Sequence, residues 1–346
     1  MEPIIIKLKP NSRFHFGKIA LDPNVALSDT DEFIHSDLLF SALVNNLAQI
    51  KDKDFVNRFI DCFRSDKIKI SSGYYCIEQD RKYTYLLPRP IHAPTFFSEE
   101  YENIKKIKDI RFITPAVLRK HPSSWTQNCI PVGNVLFSPE EINRNIKPSH
   151  ILYSKEVVPH LVKHKPNENA EGPFSLRIIQ IPELDSSTVH FYFLHEISPD
   201  IDDELKEAFY FTVEMIKFNG LGGERSSGCG QVEDIIVGDP LFKQNELYTI
   251  IKDKSEIRMS LGLIIPADEN EFNKFSFYDY ITRGGRMTNR HGELKRVHML
   301  SEGSVIQSAK EIKCSTEDIS QEGNQYYLRY GQALTINIPN FYRHEE

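Results

Sequence analysis

Residues 220–230 read GLGGERSSGCG, and five of these eleven positions are glycine in a chain that holds 17. Neighbouring glycines let backbone N–H groups point into one concavity and let a ligand's backbone come close. Arg225 adds a fixed positive charge, and Ser226 and Ser227 add hydroxyl donors. Such a set suits contacts to phosphate or sugar–phosphate oxygens. The plainer reading is a tight helix-to-strand turn, but a turn needs only one or two glycines. Two familiar glycine signatures do not fit. The P-loop requires a Lys after its last glycine. The dinucleotide fingerprint follows a strand and opens a helix, the reverse of the order here.

Two basic clusters stand out in a chain of formal net charge −7. Residues 103–120 set Lys105, Lys106, Lys108, Arg111, Arg119 and Lys120 against Asp109 alone. Residues 281–296 set Arg283, Arg286, Arg290, Lys295 and Arg296 against Glu293. Each cluster alone reads as a solvated face. Taken with the glycine-rich loop, they suggest a surface that tracks phosphates. Among the histidines, His15 and His35 lie near the first helix, and His160 and His164 are four apart. A His beside a basic loop suits general acid–base cleavage of RNA, and it equally suits packing or capping. No HExxH, CxxC or GxSxG pattern is present, so neither a metal site nor a familiar nucleophile is expected.

The composition bounds the partners. With 42 Lys and Arg against 49 Asp and Glu, bulk charge does not draw this chain to nucleic acid, although a local basic groove would. Five unpaired cysteines fit free thiols in a reducing compartment. The opening apolar run, Ile4–Ile6, is too short for a signal peptide, and no 18-residue apolar stretch exists, so a soluble cytoplasmic protein is expected.

The elements that must position these residues follow from periodicity. Residues 3–8 suggest an opening strand. A helix is expected from Ser36 as N-cap, with Leu39, Leu43 and Leu47 on one stripe. Strand-like runs cover 68–77 and 83–87, and a second strand pair is expected at 174–181 with 188–194. A second helix spans about 202–218 and ends at Asn219-Gly220, and 231–237 reads as a strand. Residues 95–170 read as an insertion, part helical and part mobile. Without it the order is β, α, β, β, α, β, the ferredoxin-like pattern. Residues 241–346 form a second unit with strands near 261–265, 297–300, 304–307 and 333–338. The expected class is therefore α+β, with domains at 1–240 and 241–346.

Several segments occur in an order that resembles one family: SRFHFG at 12–17, IHSDLLFSAL at 34–43, YTYLLPRP at 83–90, IKKIKDIRFI at 104–113, the glycine-rich loop, TRGGR at 282–286, LSEGSV at 300–305 and YGQALTINI at 330–338. Over nearly its full length the chain is similar to the fourth subunits of Csm complexes, the type III-A CRISPR effectors of antiviral defence, within the RAMP superfamily. The resemblance implies two ferredoxin-like (RRM-like) domains. It implies a non-catalytic RNA-binding subunit that holds the 5′ tag of the CRISPR RNA and docks the large polymerase-like subunit and the first backbone subunit. It implies no cofactor, no metal and no membrane. In such subunits the glycine-rich loop lies against RNA, which here points to Gly220, Gly222, Gly223, Arg225, Ser226, Ser227 and Gly228. Arg13, His15, Lys105, Lys106, Arg283 and Arg286 complete the candidate RNA-binding set. The insertion would include a thumb-like hairpin, and Phe14, Phe16 and Trp125 are candidates either for base stacking or for the core. The alternative is a metal-independent endoribonuclease that processes CRISPR RNA, with His15 or His35 as general acid or base. A third reading is a regulatory protein that binds a small phosphorylated ligand.

Overall fold

A computed structural model describes residues 1–18, 29–96, 109–142, 152–160, 174–285, 294–320, 327–332 and 334–343. The chain is a mixed α+β structure with several antiparallel sheets. Strand β1 (Glu2–Lys7) lies inside the largest of them, and its β-branched Ile4, Ile5 and Ile6 are all fully buried. Side chains alternate across a strand, so layers must cover both faces of this sheet. Strand β2 (Arg13–Phe14), helix α1 (Ser36–Ala48) and helix α2 (Lys53–Arg64) follow, then β3 (Ile68–Ile70), β4 (Tyr74–Gln79) and β5 (Lys82–Tyr85). The strand order is Asp234–Val237, β1, Thr188–Ile197, β4, β5, with every pairing antiparallel. β3 pairs with the far end of Thr188–Ile197.

Helix α1 carries the expected stripe of Leu39, Leu43 and Leu47, all buried. Its start differs from expectation. His35 is the cap residue, with no side-chain cap bond. The Ser36 hydroxyl instead accepts the N–H of Leu263, 3.0 Å away in the second unit. Helix α2 was not anticipated, although Asp52 caps it by accepting from the Phe55 N–H and buries Phe55, Phe59 and Phe63 on a spacing of four.

The expected pairing of 174–181 with 188–194 is overturned. Phe174–Gln180 pairs with Ser154–His160 as an antiparallel hairpin, and its end meets β2 through Ile179–Phe14 and Gln180–Arg13. Thr188–Ile197 pairs only within the main sheet. Both runs are apolar and β-branched, so composition could not choose their partners. Within the insertion, Phe112–Ile113 runs parallel to Val135–Phe137 and antiparallel to Leu87–Pro88, and Trp125 is fully buried.

In the second unit the strand expected near 261–265 is Ile257–Ser260. It sits between Val305–Gln307 and Thr335–Ile338, and Phe275–Phe277 flanks Val305–Gln307. Numbered in chain order, these four strands lie fourth, first, third, second. β1, β4, Thr188–Ile197 and Asp234–Val237 follow the same order in the main sheet. The units share one apolar core, which runs from Ile4 to Ile257 and Ile336. At their seam Gly303 takes φ +85°, and a Cβ there would stand 2.5 Å from the Arg89 carbonyl oxygen. Only glycine permits that approach, which also lets the Ile91 N–H reach the Gly303 carbonyl at 3.0 Å.

Candidate nucleic-acid interface

Helix Asp203–Glu214 and the short turn Ile216–Asn219 deliver the chain to the glycine-rich loop. Gly220 ends that turn at φ +69°. The loop then lies along β2 and its continuation. The Gly223 N–H donates to the His15 carbonyl at 2.8 Å, and the Gly230 N–H donates to the Arg13 carbonyl at 2.7 Å. The Leu221 N–H closes the loop onto the Gly230 carbonyl at 2.9 Å. A Cβ on Gly222, whose φ is +88°, would stand 2.7 Å from the His15 carbonyl oxygen. The glycines therefore serve close backbone packing as well as an open rim. The segment SRFHFG and the loop, some 200 residues apart by the numbering, form one surface element.

Arg225, Ser226, Ser227 and Gly228 make up the exposed rim. Arg225 donates from Nη1 to the Asn219 carbonyl at 2.8 Å and has no carboxylate partner among the described residues. Ser227 donates to the Glu224 carboxylate at 3.2 Å. The backbone N–H groups of Gly222, Glu224, Arg225 and Ser226 meet no acceptor among the described residues. A guanidinium with no carboxylate partner, beside free amides and the Ser226 hydroxyl, can take anionic oxygens.

Arg13 borders the rim. Its Nε donates to Gln180 at 3.1 Å and its Nη2 lies 3.7 Å from Glu156, so the hairpin base abuts the loop. His15 is buried, and its Nδ1 lies 2.8 Å from the Arg177 carbonyl oxygen. Arg177 itself is more than half exposed and lies 3.4 Å from Asp29, which adds a cation that sequence reasoning missed. Nothing in its strand-like surroundings marked it; the pairing of its strand with β2 brings it there. Phe14 and Phe16, candidates for stacking, are core residues whose rings pack on Phe191 at 5.2 and 5.8 Å. Lys105, Lys106 and Arg286 lie outside the described residues, as do residues 161–173.

Arg283 departs from its expected place on an RNA-facing surface, since it is 6% exposed. It donates to both oxygens of Asp37, from Nε at 2.9 Å and from Nη2 at 3.1 Å, and its Nη1 donates to Asp31 at 3.1 Å. Arg329 also donates to Asp37, at 2.5 Å. His35 sits 3.3 Å from Asp31 and 2.8 Å from Glu302. Three carboxylates thus face two guanidiniums and one imidazolium across the seam between the units, and the cluster is balanced in charge. Burial disfavours the charged forms, but the opposite charges win. Glu302 and Asp31 push His35 up to about 10 despite its burial. Arg283 and Arg329 likewise hold Asp37 below the usual carboxylate range. The second candidate for acid–base work, His35, is therefore an ion-pair member in the interior, away from the loop.

Among the described residues no cluster of His, Cys, Asp and Glu could hold a metal ion. Nor is any helix there long and apolar enough to cross a membrane.

Comparison with known proteins follows from this geometry. Residues 253–338 match the family described as the CRISPR Csm4 C-terminal domain. The chain is 25% identical to the CRISPR system protein Csm4 of Methanocaldococcus jannaschii, over 89% of this chain and 86% of that relative. It resembles a chain of the solved Csm3–Csm4 subcomplex of a type III-A interference complex with a TM-score of 0.67 at 21% identity, covering 97% of this chain and 99% of that one. It resembles a chain of a solved Csm1–Csm4 cassette with AMPPNP with a TM-score of 0.54 at 16% identity, covering 98% of each. The likeness read from the motifs, to the fourth Csm subunit, is the likeness these comparisons find.

Proposed function

We propose that this chain, similar to Csm4 over most of its length, serves as the RNA-binding fourth subunit of a type III-A CRISPR effector. In this role it holds the 5′ tag of the CRISPR RNA and docks the large polymerase-like subunit and the first backbone subunit. One observation carries the reading. The glycine-rich loop is laid on the segment Arg13–Phe16 by two backbone hydrogen bonds, and this leaves Arg225, Ser226 and four amides at its rim without an anionic partner among the described residues. Such a rim contacts an RNA backbone with little regard to base.

Other features support the same reading. Csm4 has been solved together with Csm3 and with Csm1. The strand order shared by the two sheets fits two ferredoxin-like domains that divide near residue 240. The hairpin Ser154–His160 with Phe174–Gln180 fits the thumb-like element. The placement of the two histidines favours a non-catalytic subunit over an endoribonuclease. His15 is buried with Nδ1 against a carbonyl, and His35 is locked between two carboxylates.

Affinity purification of the tagged chain from its host tests the reading. Short CRISPR RNAs with a uniform 5′ end, recovered with a large polymerase-like protein, are the expected result. A chain that emerges alone and RNA-free at low salt overturns it and favours a small phosphorylated ligand. Metal-independent cutting of repeat RNA, abolished by His15→Ala, would make the protein an endoribonuclease.

A further inference from the structure

Phe218 is 79% exposed, the most exposed large apolar side chain among the described residues. It sits at the end of the helical segment, two residues before Gly220. The residue between them, Asn219, is fixed from two sides. Its amide nitrogen donates to Asn46 at 2.8 Å, and its carbonyl accepts from the Arg225 guanidinium at 2.8 Å. An open aromatic ring therefore precedes a peptide whose carbonyl is held by a guanidinium that has no carboxylate partner among the described residues. The neighbouring Lys217 is committed, to Asp234 at 2.9 Å and Glu214 at 3.2 Å, so Arg225 supplies the available charge. The other exposed aromatics are placed differently. Tyr278 and Tyr280 belong to the second unit and pack on each other at 5.4 Å, and Phe211 lies two helical turns before Phe218. Phe14, Phe16 and Trp125 are all in the core.

We infer that the ring of Phe218 is a stacking platform for one base of the RNA strand whose backbone the glycine-rich loop holds. The inference rests on the tag-holding reading. Single-stranded RNA is bound by a charged rim for the phosphates and by ring faces for splayed bases, and every base offers such a face. An exposed Phe at the entry to a loop with free amides and an Arg that lacks a carboxylate partner supplies both parts. A protein partner would also cover an exposed ring, but the guanidinium bonded to the next peptide and the free amides of the loop that follows match a polyanion that carries aromatic groups.

The test is fluorescence anisotropy of the full chain with a short single-stranded RNA, with the same RNA made abasic at successive positions, and with 2-aminopurine at those positions. Phe218→Ala should weaken binding of the intact RNA about 10-fold, and Phe218→Trp should restore it. One abasic position should bind wild type and Phe218→Ala equally, and 2-aminopurine there should be quenched by wild type alone. Unchanged melting temperatures separate these effects from misfolding. If Phe218→Ala binds intact RNA as wild type does, the inference is overturned, and loss of binding to a purified partner subunit instead would assign the ring to a protein contact. Arg225→Ala separates the two proposals. Weak RNA binding by Arg225→Ala with normal binding by Phe218→Ala removes the stacking role alone. The converse removes the loop as backbone holder and leaves the stacking role standing. No RNA binding by wild type removes both.

Discussion

Arg283 and Asp37 meet through two parallel hydrogen bonds, 2.9 and 3.1 Å long, between residues 246 positions apart. This pair joins the first turn of α1 to a strand of the second unit. Asp31 shares the same guanidinium, and its own N–H donates to the Phe16 carbonyl at 2.7 Å. The interunit cluster is thus tied by one hydrogen bond to the segment on which the glycine-rich loop rests.

Removing one member of a charge-balanced buried ion cluster leaves one charge there uncompensated. Arg283→Met should cost about 3–5 kcal/mol of stability, read as a lower midpoint in denaturant unfolding. Arg283→Lys should restore little of it, because an ammonium cannot bond both oxygens of Asp37 in the parallel fork. A wild-type midpoint for Arg283→Met would show that the cluster is not paired as described.

Stability should depend on His35 at alkaline pH. Its folded value is raised to about 10 from an ordinary 6.5, so its contribution is complete below about 6.5 and is lost as pH rises towards 10. The melting temperature of wild type should fall across that window. His35→Gln should start lower and show a flatter profile. Equal slopes for the two proteins would remove His35 from the linkage.

Gly222 and Gly228 share φ +88° but not their surroundings. Gly228→Ala meets open space and should cost only the backbone strain, about 1 kcal/mol. Gly222→Ala must also push its Cβ off the His15 carbonyl oxygen, 2.7 Å away. It should lower RNA affinity much more than Gly228→Ala does, as the loop lifts from its seat. Matching affinities measured by filter binding would argue against that seat.

Arg225→Ala should weaken RNA binding across all sequences and reduce the salt dependence. For a single strand, one lost phosphate contact lowers the slope of log K against log salt by about 0.7. Titrations between low and physiological salt measure it. An unchanged slope with altered sequence preference would make Arg225 a base reader.

Much of this architecture was legible in the chain. The Leu39, Leu43 and Leu47 stripe, the strand through Ile4–Ile6 and the glycine at the helix end all sit where local periodicity and backbone preference put them. The loop GLGGERSSGCG was legible as an unusual turn because clustered glycine is costly in a plain one. Helix α2 escaped notice although Asp52 and the Phe55, Phe59 and Phe63 spacing announced it.

What local pattern cannot supply is partner choice. Phe174–Gln180 and Thr188–Ile197 have the same apolar, β-branched character, and only the packed fold gives the first to the hairpin and the second to the main sheet. The same limit governs Arg283. As a sequence letter it belongs to a basic cluster and suggests an RNA-facing charge. In the fold it lies opposite Asp31 and Asp37, whose carboxylates keep it charged despite its burial. Sequence determined local features such as the α1 stripe, the strand through Ile4–Ile6 and the glycine-rich turn, because those depend on neighbours within a few residues. Tertiary structure decided which charges face solvent and which close the seam, because that depends on residues more than two hundred positions away.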